Sequence, residues 1–220
     1  MYLLGYDEND YRRDLEDYFR EYEYDNALRA MDYVIKMHDG QKRMSGQSFY
    51  VHPLYVAWHG FNIGMRDENW VCANLLHDVC EECEIRPDQI PFEEEVRTIV
   101  WYLTLDYDFE DGDDQDERFR KKIIAKAKYY ARLMECPKAL CTKGVDRYDN
   151  MRTTDYIGVP ATVKNIIETD TRLLPNFRDA MRIKSYREYR FIFNTIYTEL
   201  GQLNIELAKR YNVPLRIITQ

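Results

Sequence analysis

Apolar residues recur along this chain at helical spacing. Ala27, Leu28, Met31, Val34 and Ile35 share one face of a helix that Asp25 can cap and Gly40 can end. Before it, Leu15, Tyr18 and Phe19 predict a surface-packed helix in a Tyr-rich, charged segment. Pro53 opens a helix with Leu54, Val56, Ala57, Trp58 and Phe61, ending near Gly64. Asp67 caps a central helix over 70–84, and Pro87 and Pro91 break the chain behind it. The segment 92–105 turns Val96, Ile99, Val100 and Leu103 inward. Further helices are expected over 118–135, from Pro137, and from Pro160 to Thr171 with an interruption at Leu173-Leu174-Pro175. A long last helix over 186–211 has apolar positions on more than one stripe, which suits packing against several neighbours. No period-two strand pattern, internal repeat or linker stands out. The expectation is one all-α domain over 1–220, a bundle of roughly eight to ten helices.

Composition narrows this little: 45% hydrophobic and 32% charged residues are an ordinary globular balance. The net charge of -8 argues against a nucleic-acid or anionic-membrane partner, yet leaves room for a local basic pocket. Met1 to Arg12 lacks the apolar core of a signal peptide, and no apolar run reaches about 18 residues, so a cytoplasmic protein is expected. Five irregularly spaced cysteines suit reduced thiols there. Cys80 and Cys83 form a C-x-x-C late in a helix without a second pair, which reads as structural. His59 reads as a packed or surface histidine. The acidic run from Asp106 to Glu117 looks like a calcium loop, but Gly112 comes one residue after the position where the sharp turn needs it; a solvated loop is expected.

The candidate chemistry centres on Leu75-Leu76-His77-Asp78-Val79-Cys80-Glu81-Glu82. In an unbroken helix His77 lies above Glu81 and Asp78 above Glu82. His52, His77, Asp78 and Asp146 come from three segments that a bundle can bring to one pocket. Two imidazoles and two carboxylates suit a divalent first-row metal. Such an ion lowers the pKa of bound water and polarises a phosphoryl group. Glu81 and Glu82 could orient that water or take its proton. The polar loop after Gly40 brings Lys42 and Arg43, and Lys143 and Arg147 lie near Asp146; these cations can offset phosphate charge. Asn150 is four residues from Asp146 and shares its face. The pattern suggests metal-assisted hydrolysis of a phosphoester or phosphoanhydride.

Four segments carry a resemblance. His38-Asp39-Gly40-Gln41-Lys42-Arg43-Met44-Ser45-Gly46 is similar to an H-x-G-Q-x-R-x-S-G loop, and Tyr50 to Ala57 resembles Y-x-x-H-P-x-x-V-A. Leu75 to Glu82 looks like L-L-H-D-x-x-E-D, with Glu82 replacing Asp, and Lys143 to Thr153 looks like K-x-A-D-R-x-x-N-M-R-T, with Val145 replacing Ala. Spanning 38–153, with C-terminal helices over 160–212 packed on them, they resemble the HD-domain hydrolases of the RelA/SpoT family, and the small stand-alone alarmone hydrolases in particular. The resemblance implies a manganese-dependent (Mn2+) enzyme that removes the 3′-pyrophosphate of guanosine tetra- or pentaphosphate, giving GDP or GTP plus pyrophosphate. It further implies His52, His77, Asp78 and Asp146 as metal ligands and Glu81 and Glu82 as the residues that handle water. Arg43 and Ser45 would contact the base side, Lys42 the phosphates and Asn150 the ribose, while His38 would be structural. Leu105 stands where synthetase-linked members carry Lys. Two alternatives remain: an HD hydrolase of another nucleotide, such as an adenosine alarmone or NADPH, and a catalytically silent nucleotide-binding regulator.

Overall fold

Prolines, glycines and side-chain caps cut the chain into short rods. In the computed structural model, residues 8–107, 110 and 112–216 are described, and among them there is no strand. The helices are α1 (Glu8–Glu21), α2 (Asp25–Met37), α3 (Val51–Asn62), α4 (Glu68–Leu76), α5 (Val79–Glu82) and α6 (Glu94–Leu103), followed by α7 (Gln115–Leu133), α8 (Pro137–Arg152), α9 (Val159–Glu168), α10 (Leu174–Ala180) and α11 (Arg190–Arg210). No helix among the described residues is long and apolar enough to cross a membrane. The acidic run lies partly outside the described residues, at 108, 109 and 111. Its later part belongs to α7, whose first turn is capped by Asp114 accepting from the Glu117 N–H at 2.8 Å.

The last helix, expected from 186, starts at Arg190 after a 3-10 segment, Lys184–Tyr189; three further differences from the sequence pattern bear on how the helices meet. Asp25 does not cap α2; instead the Glu68 carboxylate on α4 accepts from the Asn26 N–H at 2.7 Å and the Ala27 N–H at 3.3 Å. That tertiary cap ties the start of α2 to the start of α4, where Asp67 caps as expected by accepting from the Trp70 N–H at 3.0 Å. The expected interruption at Leu173-Leu174-Pro175 is a π-turn, Thr169–Leu173, that carries α9 into α10. The third difference, a break in the central helix, shapes the site and is described with it.

Helix α8 is the hub. Its buried residues include Ala139, Leu140, Val145 and Met151 and also Thr142, Asp146, Arg147 and Asp149, so it is enclosed nearly all round. It packs against α3, α6 and α11. Gly144 permits the approach to α11 and α10: a Cβ there would sit 2.5 Å from the Ile196 Cγ2 and 2.6 Å from the Phe177 Cζ. The Thr142 hydroxyl donates to the Asn74 Oδ1 at 2.6 Å and locks α8 to α4. α11 packs Ile192, Phe193, Ile196 and Leu200 inward, touching α8, α9 and α10, as its spread of apolar positions implied.

Candidate metal centre

His52 stands in the first turn of α3 and Asp146 in the middle of α8. His77 and Asp78 occupy the junction where α4 stops and α5 begins. Neighbouring residues of a regular helix point about 100° apart and do not face each other. Here the helix gives way: Asp78 has φ −100° and ψ −7°, and its Oδ2 comes to 3.3 Å from the His77 Nε2. The Asn74 carbonyl, the acceptor that a regular helix assigns to the Asp78 N–H, receives the His77 Nδ1–H at 2.9 Å. The unbroken helix over 70–84 is therefore corrected to two pieces. Neither Gly nor Pro marks the break, because a side chain competing for a backbone carbonyl makes it.

The four ligand atoms of His52, His77, Asp78 and Asp146 all lie within 4.8 Å of one another. The His52 Nε2 is 3.2 Å from the His77 Nε2, 3.1 Å from an Asp146 oxygen and 3.3 Å from an Asp78 oxygen. Each ring uses its Nδ1–H elsewhere, so in the neutral form each Nε2 turns a lone pair inward. Two lone pairs and two carboxylate oxygens converging on one point suit a cation at their centre. The donor set therefore fits a divalent ion. Burial pulls both imidazoles down in pKa, but the surrounding carboxylates outweigh it. His52 ends well above the usual value, and His77 is pushed up to about 9, chiefly by Asp78 and Asp146. Burial works against the charge on Asp78 and Asp146 too. The imidazoles, and Lys143 beside Asp146, still hold both carboxyls well below the usual range.

A second layer holds these ligands. Asp149, fully buried, accepts the His52 Nδ1–H at 2.6 Å, the Arg43 Nη1–H at 2.7 Å, and Arg152 through Nη2 at 2.6 Å and Nε at 2.7 Å. A carboxylate behind a ligating histidine fixes the tautomer and raises the ring's basicity. Asp149 was not among the residues singled out in the sequence. Its signal was available: three residues after Asp146 on a helix, it shares that face. The Lys143 Nζ and the Asn150 Nδ2 each donate to Asp146 at 2.5 Å. Arg43 also donates to the Asn150 Oδ1 at 3.2 Å and the Thr153 Oγ1 at 3.3 Å.

No family model matches the chain. Among curated proteins it is 30% identical over 200 residues to a probable guanosine-3′,5′-bis(diphosphate) 3′-pyrophosphohydrolase of Mycoplasma pneumoniae, covering 87% of this chain and 25% of that protein. A protein of Aquifex aeolicus named guanosine-3′,5′-bis(diphosphate) 3′-pyrophosphohydrolase is 33% identical over 127 residues, 57% of this chain and 17% of its own length. The chain is a homologue of the RelA/SpoT family. A family protein of Streptomyces coelicolor, named GTP pyrophosphokinase, is 30% identical over 197 residues, 87% of this chain and 21% of that protein. The chain thus spans a quarter of the first RelA/SpoT relative and less of the other two.

The remaining residues of the RelA/SpoT-like motifs sit around the rim. Glu81 is exposed as a residue, and one carboxylate oxygen accepts from the Leu105 N–H at 2.5 Å. Its carboxyl is raised, first by desolvation and then by Asp78 and Asp146, although Lys143 and the Leu105 N–H oppose this. Glu82 is raised by desolvation and by Asp78. The polar loop closes on itself: the Arg43 N–H donates to the Gln47 carbonyl at 2.9 Å, and Gly46 takes the turn with φ +84°. The Gln41 side chain ties the loop to α5, donating to the Glu82 carbonyl at 3.1 Å. His38 is buried, hydrogen-bonded through Nδ1 to the Gln41 Oε1 at 2.7 Å and packed on Phe49. Lys42 reaches the Ser48 hydroxyl at 3.2 Å, and the Ser45 hydroxyl accepts from the Gln47 N–H at 3.5 Å, so these two point into the loop rather than to the metal ligands. Cys83 faces the Met37 carbonyl and His38, and Cys80 is buried; both are free thiols. His59 packs between the rings of Tyr55 and Tyr148 and pairs with Glu199 at 2.9 Å.

Proposed function

We propose that this chain hydrolyses the 3′-diphosphate of guanosine 3′,5′-bis(diphosphate) in a metal-dependent reaction, with manganese as the ion. One observation carries the metal-dependent part: four ligand atoms from three separate segments converge within 4.8 Å. The guanosine substrate rests on the names of the relatives. Relatives named for the opposite reaction match as much of the chain. The buried N/O ligand set with acidic groups beside it favours hydrolysis.

In this reading His52, His77, Asp78 and Asp146 hold the ion, which supplies a water of lowered pKa and polarises the phosphoryl oxygen. Asp149 keeps the His52 Nε2 lone pair directed inward. Glu81 and Glu82, at the open edge, orient the attacking water and accept its proton; their raised pKa values bring them closer to neutrality and suit them to that exchange. The water oxygen bonds to the phosphorus next to the ribose, the 3′ oxygen leaves and takes up a proton, and GDP and pyrophosphate result. Lys143 offsets phosphate charge. Arg43, beside Asn150, forms a wall for the base and ribose, with Lys42 and Ser45 on the same loop as further substrate contacts.

The test is the purified chain with manganese and guanosine tetraphosphate, products separated by chromatography. GDP and pyrophosphate are expected, and both disappear in His77→Ala and Asp78→Ala. Bound metal without product overturns the substrate; no bound metal overturns the centre itself. Parallel assays with magnesium, zinc and manganese decide the ion.

A further inference from the structure

Helix α7 presents a stripe of Lys121, Ala125, Lys128 and Arg132, spaced to lie on one face. Between this stripe and Leu105-Asp106 lies a cavity of about 240 Å³, walled also by Ile124 and Tyr129. Ala125 keeps it open between the cations. Its charged lining is three cations against one carboxylate, Asp106, in a protein whose net charge is -8. Lys121 is partly engaged by Asp113 at 3.0 Å and Glu110 at 3.8 Å. Lys128 is exposed. Arg132 is fixed: its guanidinium lies 4.4 Å from the centre of the Trp101 ring, and Nη2 donates to the Thr104 carbonyl at 2.6 Å.

We propose that this cavity is an oxyanion site, taking a phosphate or diphosphate group. A multi-oxygen anion answers a guanidinium and two ammonium groups at once. The cavity adjoins the metal centre: the Leu105 N–H holds Glu81, and the Lys143 Nζ stands 5.8 Å from the centre of the Tyr129 ring. The anion has two sources, the phosphate chain of a nucleotide at the centre or a free inorganic anion. Only the first rests on the function proposed above.

Inorganic pyrophosphate is titrated into the full chain after divalent ions are removed with a chelator. Binding is expected, weakened about tenfold or more in Lys128→Gln, which removes a charge, and in Ala125→Leu, which fills the space. It stays unchanged in His77→Ala. Arg132 is avoided because it also joins α7 to α6. No binding, binding in both α7 variants as tight as in the unsubstituted chain, or loss confined to His77→Ala would overturn the site. Turnover then separates the sources. A KM for guanosine tetraphosphate raised about tenfold in Lys128→Gln, with kcat kept, identifies the nucleotide's phosphates; an unchanged KM together with pyrophosphate inhibition lost in Lys128→Gln identifies the free anion. If guanosine tetraphosphate is not a substrate, the pyrophosphate titration still decides the site.

Discussion

The two sides of the candidate centre are built on different plans. On the His52 side every polar atom is engaged: one ring nitrogen faces the ligand cluster, the other donates to Asp149, and Asp149 is braced by two arginines. On the Glu81 side one carboxylate oxygen takes a single backbone N–H and the side chain reaches solvent. The first side holds a geometry, whereas the second leaves a base free to meet water. Holding an ion rewards rigidity, and exchanging a proton rewards access.

The contrast predicts that damage to the two sides fails differently. The largest effect is expected from Asp146→Asn, which removes a ligand charge while keeping its shape: metal content near zero by elemental analysis, and activity at background. A variant retaining stoichiometric metal would break the distinction. Glu81→Gln is next, with metal content intact and kcat lowered about 10²- to 10⁴-fold; parallel loss of metal would show that Glu81 also holds the ion. Asp149→Asn lies between the two plans. It should weaken metal affinity about 10- to 100-fold by isothermal titration while the helical circular dichroism stays unchanged.

A fourth expectation concerns protons. In the metal-free chain His77, pushed up to about 9, carries a proton at neutral pH, and His52 is raised in the same direction. An ion must displace what the rings hold, so affinity should rise as pH rises and level off above about 9, with proton release on binding. Titration in buffers of different ionisation enthalpy measures that release directly. Its absence would mean that the rings are already neutral and that the carboxylates do less than their distances imply.

Much of the architecture was legible because it is local. Asp67 caps α4, Pro137 opens α8, the apolar stripe of α6 is buried as its spacing implied, and that of α2 is buried at Ala27, Met31 and Val34 and partly buried at Leu28 and Ile35. The four ligand candidates were legible as residue types suited to one ion, although nothing local says that α3, α8 and the α4–α5 junction meet. What could not be read was tertiary. Glu68 caps a helix about 40 residues before it in the chain, and Asn74 gives its carbonyl to a side chain. Asp149 looks like any helical carboxylate until His52, Arg43 and Arg152 close around it.

The break between α4 and α5 has a consequence for protein engineering. Closing it, with residues that prefer an unbroken helix at His77 and Asp78, would restore regular backbone hydrogen bonding and remove a concentration of buried charge. Either change tends to raise thermal resistance. A library sorted on heat tolerance alone would therefore drift toward a sturdier and chemically empty protein, and only sorting on metal retention as well would keep the bend.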